Sequence, residues 1–328
     1  AVHGESTYFV WINRGKESIC LDLRQDGDMA LLLRMMETAD VFVQNLAPGA
    51  VQRLGIGAAQ MCAKHSRLIY CSISGYGEQG PYREQKAYDM LIQGESGLLS
   101  VNGTPEGSAR VGISVCDIAA GESAYAAILQ ALFARTRTGA GREIEVSLFH
   151  TMADWMNVPY LQTRYGGKAP PRVGLRHPSI APYGAFTCAD GREVLLSIQN
   201  DREWRVLCDK VIGDPALADD PRHARNVDRV ANREAIDALL SAVFSTMDRE
   251  AAMELLGGAG IACGRLSTMD DMLVHPQARP ITVDTPSGPV EMMGRGVNLP
   301  GQPAPYGAVP ALGEHGEKIR AEFSARKD

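Results

Sequence analysis

Leu68-Ile69-Tyr70-Cys71-Ser72-Ile73, running into Ser74-Gly75-Tyr76-Gly77, decides the fold. The run is short and mostly apolar and it ends on glycines, as a strand buried beneath helices on both faces does. Upstream, Val41-Phe42-Val43 has the same character, is interrupted by Pro48-Gly49, and leads into a short helical stretch. Earlier still, Ile19-Cys20-Leu21-Asp22-Leu23 is a strand candidate. Asp26-Gly27-Asp28 then opens a helix with Leu31, Leu32, Met35 and Met36 on one face. Downstream, an Ala-rich helical run from Ala119 to Arg135 ends in Arg135-Thr136-Arg137-Thr138-Gly139, with cations near the C-terminal dipole and Gly beyond. Ile144-Glu145-Val146-Ser147-Leu148 resumes the sheet. This alternation predicts an α/β fold, a Rossmann-like parallel sheet forming a large domain over residues 1–160.

Near Tyr160 the texture changes. Residues 161–182 are rich in Gly, Pro and basic side chains and lack periodicity, which reads as a linker and functional loop. Tyr183 to Cys188 and Glu193 to Ile198 then form a hairpin signal around Asp190-Gly191. Helical patterns follow over 201–212, 232–246 and 249–256, so residues 183–275 are expected as a small α+β domain. From Pro276 the chain turns rich in Pro and Gly until a helical stretch from Glu314 to Ala325, and 276–328 reads as a linker and tail returning to the large domain.

Composition removes several classes of function. Over 328 residues, 45% apolar and 22% charged content is ordinary for a soluble globular chain. A net charge of -6 argues against nucleic acid as the main ligand, while leaving room for a local basic pocket. Seven cysteines are scattered without a C-x-x-C pair, which argues against a zinc site, or any metal, and for a reducing, cytoplasmic setting. No apolar run approaches the roughly 20 residues that span a bilayer, and no leader pattern opens the chain, so neither membrane nor secretion is expected. Gly55-Ile56-Gly57 lacks the third glycine of a dinucleotide fingerprint, so a dehydrogenase reading is poor.

Asp117 stands out against this background. It sits in Gly112-Ile113-Ser114-Val115-Cys116-Asp117-Ile118-Ala119-Ala120-Gly121, where its neighbours are small or apolar. It lies at or just before the N-terminus of the long helix, where unpaired N–H groups and the dipole favour an ionised carboxylate. Two readings follow from the residues alone: a helix cap, or a carboxylate kept for chemistry.

Ordered motifs then connect the chain to a family. They are Asn13-Arg14-Gly15-Lys16-Glu17-Ser18 leading to Leu21-Asp22-Leu23, Gln44-Asn45-Leu46-Ala47-Pro48-Gly49 with Arg53-Leu54-Gly55, and Ser74-Gly75-Tyr76-Gly77 with Gly80-Pro81-Tyr82. Asp117 with Gly121, Arg137-Thr138-Gly139-Ala140-Gly141, Gly174-Leu175-Arg176-His177-Pro178 and Gly313-Glu314-His315 complete the set. In this order they resemble the class III CoA-transferases, the group of formyl-CoA and carnitine CoA-transferases that also holds the α-methylacyl-CoA racemases. Members usually carry one further strand-helix-strand unit ahead of the segment that begins here, a unit that contributes to the cofactor site.

The resemblance implies an enzyme that moves CoA between carboxylic acids, with Asp117 as nucleophile, coenzyme A or an acyl-CoA as substrate, and no tightly bound cofactor. It further implies a CoA site involving Arg14, Asn45, Leu46, Arg53, Lys86, Tyr88 and Asp89, and an interlocked homodimer. Ala47 replaces the Arg that usually follows the Asn pair. Tyr88 stands where the racemases carry the His of their acid–base pair, which favours transfer over the alternative, epimerisation of an acyl-CoA. The loop from Arg172 to Gly184 resembles members acting on short dicarboxylic acids with succinyl-CoA as donor, itaconate, mesaconate, citramalate, malate or a glutarate among them. There Arg172, Arg176 or His177 could meet a distal carboxylate. An inactive CoA-binding protein is the remaining alternative.

Overall fold

The computed structural model describes residues 1–297, 299–301 and 307–324. By packing, the chain divides into two compact units, one of residues 1–85, 121–147 and 270–328, the other of residues 86–120 and 148–269. This division follows contacts rather than chain order, so it cuts the first 160 residues more than once.

The first unit is organised by a parallel three-stranded sheet in the order Val41–Gln44, Ile69–Ser74, Arg142–Ser147. Ile69–Ser74 is central, with Ile69 paired to Val41 on one side and to Arg142 on the other. Its residues Ile69, Tyr70 and Cys71 are fully buried, which is why the run carries no alternation. The one polar group on Tyr70 is satisfied: its hydroxyl donates to the Ile56 carbonyl at 2.8 Å. The Asp26–Thr38 helix buries Leu31 and Met36, and Met36 packs with Val51, Ile56, Met61, Leu68 and Tyr70.

The Val115–Thr138 helix is longer than its Ala-rich run predicted, beginning at Val115. Its C-terminal cation does more than face a dipole. Arg135 pairs with Asp40 at 2.6 Å and donates to the Arg67 carbonyl at 2.8 Å, tying the helix end to the segments that enter the first two strands. Directly after it, Gly141 donates to the Ser66 carbonyl, and a Cβ there would lie 2.0 Å from the Leu68 carbonyl oxygen. Only glycine fits this close approach.

Ile19–Leu23, read as a strand, forms no ladder. Its polar groups are taken elsewhere: Ser18 exchanges bonds with His315, Arg320 donates to the Cys20 carbonyl, and the Asp22 N–H donates to Asp28. Sequence reading also passed over an antiparallel hairpin, Pro280–Thr285 with Gly288–Met293, because the Pro and Gly around it suggested a linker. Val283 and Val290 of that hairpin are buried with Val10 and Val309.

The second unit holds an antiparallel sheet in the order Tyr183–Thr187, Glu193–Ser197, Ala262–Arg265. The first two strands match the hairpin signal, and the short third one was not legible. Phe186, Val194, Leu196, Trp204, Leu207, Ile236, Leu240, Phe244 and Leu256 form its core. A buried Arg229 crosses that core under Trp204, bonded to the carbonyls of Ala181, His223 and Ala224 and to Asp201. Each of its three nitrogens therefore meets an acceptor, as burial of a guanidinium requires. Among the described residues, no helix is long and apolar enough to cross a membrane.

Replacing Gly141 by Ala is expected to destabilise the protein by about 1–3 kcal/mol through the clash with Leu68. Gly27→Ala, where a Cβ meets nothing within 4 Å, should be neutral or slightly stabilising. Thermal melts of the two variants check the difference.

Candidate active site

Asp117 lies in the first turn of the Val115–Thr138 helix, inside it rather than before it. A capping carboxylate accepts backbone N–H bonds. Among the described residues, no hydrogen bond or ion pair engages the Asp117 carboxylate, and its side chain reaches solvent. The protein mass around it and the neighbouring Asp89 carboxylate nevertheless push its pKa above the ordinary aspartate value. It is a carboxylate with open lone pairs, held at a helix start.

Asp89 is its opposite. It opens the Asp89–Glu95 helix, is only 8% exposed, and has both oxygens engaged. Oδ1 accepts from the Cys116 N–H at 2.8 Å and Oδ2 from the Gln93 side-chain amide at 2.7 Å. Gln93, fully buried, accepts the Val111 N–H at 2.9 Å on its own oxygen. The adjacent Cys116 thiol is pushed up to about 12, first by burial and then by the Asp89 charge. It stays protonated at neutral pH, which removes it as a competing nucleophile.

Tyr88, 70% exposed, precedes the Asp89–Glu95 helix, and Lys86 is exposed two residues earlier. The three loop residues proposed for a distal carboxylate separate clearly. Arg176 is neutralised by Glu234 at 2.8 Å and Asp237 at 3.2 Å. His177 stacks on Tyr183 at 5.2 Å, and its Nδ1 accepts the Ser179 N–H. Arg172 donates its Nε to the Thr104 carbonyl at 3.0 Å and, among the described residues, pairs with no carboxylate. Of these three, Arg172 alone offers a positive charge with no carboxylate partner among the described residues. These residues, with Asp89 and Asp117, belong to the second unit.

In the first unit, a cleft opens beyond the C-terminal ends of Val41–Gln44 and Ile69–Ser74, where open α/β sheets hold ligands. Leu46, Gln44, Ser72, Ser74 and Arg83 are among its lining residues. Asn45 donates to the Ile73 carbonyl at 2.7 Å, and Gln44 spans from Ser72 Oγ to the Leu46 N–H, so the two strand ends are stitched together. Gly49 has a left-handed φ of +73°, and a Cβ there would lie 2.8 Å from the Arg53 guanidinium folded over it. Arg14, half-buried after the Thr7–Ile12 helix, does not line this cleft. Arg83 and Gln44 were not singled out as site residues from sequence, although Gln44 opens one of the motifs quoted above and Arg83 adjoins another. Among the described residues no cluster of His, Cys, Asp and Glu could hold a metal ion.

Comparison with known proteins places this geometry. Residues 1–316 match the model of CoA-transferase family III. The chain is 38% identical to acetyl-CoA:oxalate CoA-transferase of Acetobacter aceti, over 99% of this chain and 84% of that one. It is 31% identical to succinate–glutarate CoA-transferase of Agrobacterium fabrum, over 97% of this chain and 81% of that one. The crystal structure of a CAIB/BAIF family protein from Brucella suis matches with a TM-score of 0.83 at 34% identity, covering 98% of this chain and 85% of that one. The chain therefore belongs to CoA-transferase family III and is an enzyme that transfers CoA.

Proposed function

We propose that this enzyme moves CoA from a donor such as succinyl-CoA to a short dicarboxylic acid, with Asp117 carrying the acyl and then the CoA group. The observation that carries the reading is the contrast between two neighbouring aspartates: Asp89 has both oxygens bonded, while Asp117 has neither. An Asp117 oxygen attacks the donor thioester carbonyl, the C–S bond breaks, and CoA leaves as the thiolate. The thiolate then attacks the Asp117 carbonyl of the mixed anhydride, releasing the donor acid and leaving an aspartyl-CoA thioester. The acceptor carboxylate reverses these steps and restores Asp117. No water enters, so the thioester bond survives without an external energy source.

Relatives support the acceptor class. Relatives named for their acceptors act on oxalate, glutarate and mesaconate, all dicarboxylic. Itaconate belongs to the same chemical class. In this reading Arg172 meets the distal carboxylate, while Arg176 and His177 shape the loop. The CoA portion is assigned to Asn45, Leu46, Arg53, Arg14, Lys86 and Tyr88. Epimerisation is disfavoured because Tyr88, not a histidine, precedes Asp89. Homodimerisation is supported by apolar side chains left on the surface of the Asn157–Gly166 helix, Val158, Tyr160 and Tyr165 among them.

Turnover with succinyl-CoA in the presence of hydroxylamine should leave a hydroxamate on the peptide containing Asp117. An unmodified peptide while CoA exchange proceeds would contradict the covalent route. Asp117→Ala is expected to lose at least about 10³-fold in kcat, roughly 4 kcal/mol of transition-state stabilisation. Arg172→Ala should raise KM for a dicarboxylic acceptor roughly 10- to 100-fold, the worth of a charge-assisted bond, with little change in KM for the acyl-CoA.

The raised pKa of Asp117 also has a thermodynamic sign. The folded protein holds that proton more tightly than the unfolded chain, so stability falls as pH rises from about 3.9, the unfolded value, to the folded pKa. Asp117→Asn should therefore melt higher than the natural protein at pH 7, and the gain should shrink as pH falls toward the unfolded value. Paired melts across that range check it.

A further inference from the structure

Gln93 and Asp89 are one helical turn apart and form a chain of bonds that ends on the backbone around Asp117. Gln93 Nε2 donates to Asp89 Oδ2 at 2.7 Å and, more distantly, to the Val111 carbonyl at 3.4 Å, and Gln93 Oε1 accepts the Val111 N–H at 2.9 Å. Asp89 Oδ1 accepts the Cys116 N–H at 2.8 Å. Both side chains are buried, so none of these bonds can be exchanged for water without cost. The two ends of the chain, Val111 and Cys116, bracket the turn that leads into the helix start. Cys116 is also the residue directly before Asp117. A buried glutamine with no apolar task and an aspartate with a bond on each oxygen are poorly explained as packing.

We propose that Gln93 and Asp89 act as a positioning pair that fixes the Val111–Cys116 turn and so aims the Asp117 carboxylate at the thioester. The proposal rests on Asp117 as the nucleophile and adds how it is held. The pair touches no reacting atom. Asp117 has no bonds of its own to fix it, so its direction is inherited from the backbone on which it stands. Misplacing a reacting group by about 1 Å can cost on the order of 10²-fold in rate. The polarity of the chain matters: 93 must offer an acceptor to Val111, and 89 must offer one to Cys116. The bond between 89 and 93 can run in either direction.

That last property supplies the test. Gln93→Leu removes all three of its bonds at similar bulk, and Asp89→Asn sets one amide N–H₂ against another. Each is expected to lower kcat roughly 10- to 100-fold with KM for the acyl-CoA little changed. The double variant Asp89→Asn/Gln93→Glu keeps the net charge, reverses the 89–93 bond and gives up only the long 3.4 Å bond to the Val111 carbonyl. The amide at 89 donates to the carboxylate at 93, whose other oxygen still accepts from Val111, while the amide oxygen at 89 still accepts from Cys116. It should recover kcat to within roughly threefold of the natural enzyme, a coupling that independent sites do not show. Circular dichroism and thermal melts establish that each protein is folded, and the double variant keeps the test open where a single one does not fold.

Folded single variants with full kcat, or a folded double variant as slow as the singles, would overturn the positioning pair. Hydroxylamine trapping on the natural enzyme separates this from the parent reading. A trapped Asp117 with fully active single variants strikes the pair alone, whereas an untrapped Asp117 strikes the nucleophile and the pair together.

Discussion

A buried carboxylate must have its oxygens bonded, because desolvation of an unpaired charge costs more than a domain can easily bear. Asp89 meets that requirement with a backbone N–H from Cys116 and the amide of Gln93. In doing so it commits the turn from Val111 to Cys116 to one conformation. The charge so installed acts on Asp117, whose proton is held more tightly for it and for the surrounding desolvation. The site thus has a satisfied aspartate that spends its bonds on backbone and an unsatisfied one that keeps its lone pairs. Stability is served by the first and lost through the second, the trade seen where an active group is kept strained or unpaired.

The same logic of satisfaction sorts the cations. Arg229, Arg135 and Arg176 all have anionic or carbonyl partners that account for their placement. Arg172 spends one donor on Thr104 and, among the described residues, pairs with no carboxylate, which leaves its charge for the ligand proposed above. The dicarboxylate specificity proposed for this enzyme depends on that difference. It does not follow from the number of basic residues in the loop.

What could be read from the chain follows from the range of the interactions involved. Ile69–Ser74 was legible because burial leaves a local mark, a short apolar run closed by glycine; Val41–Gln44 carries the same apolar run at the sheet edge, where Val43 is half exposed. Ile19–Leu23 carried a similar mark and is no strand, since the Cys20 carbonyl goes to Arg320, 300 positions away, the Asp22 N–H goes to Asp28, and the adjoining Ser18 is held by His315. The Pro280–Met293 hairpin shows the converse. Ile281 and Val283, then Val290 and Met292, alternate around Pro286-Ser287-Gly288, a usable strand signal that the surrounding Pro and Gly obscured. Asp117 was visible as a carboxylate without a purpose, and its proposal as nucleophile draws on the helix start at Val115 and, among the described residues, on the absence of any N–H bonded to its carboxylate. Gln93 could not be found at all, because its role depends on Val111 across a turn. Arg176 looked like a ligand until Glu234 and Asp237, about sixty residues on, were seen to hold it.

Oxygen-isotope transfer tests the central claim, that Asp117 forms and breaks the acyl bonds. In a single turnover with acceptor acid labelled with ¹⁸O in its carboxylate, the bridging oxygen of the second anhydride stays on Asp117 when CoA thiolate attacks the acceptor carbonyl. Mass spectrometry of the Asp117 peptide should then show the gain of one heavy oxygen. Formation of the acceptor's CoA thioester with no label in that peptide would contradict the account.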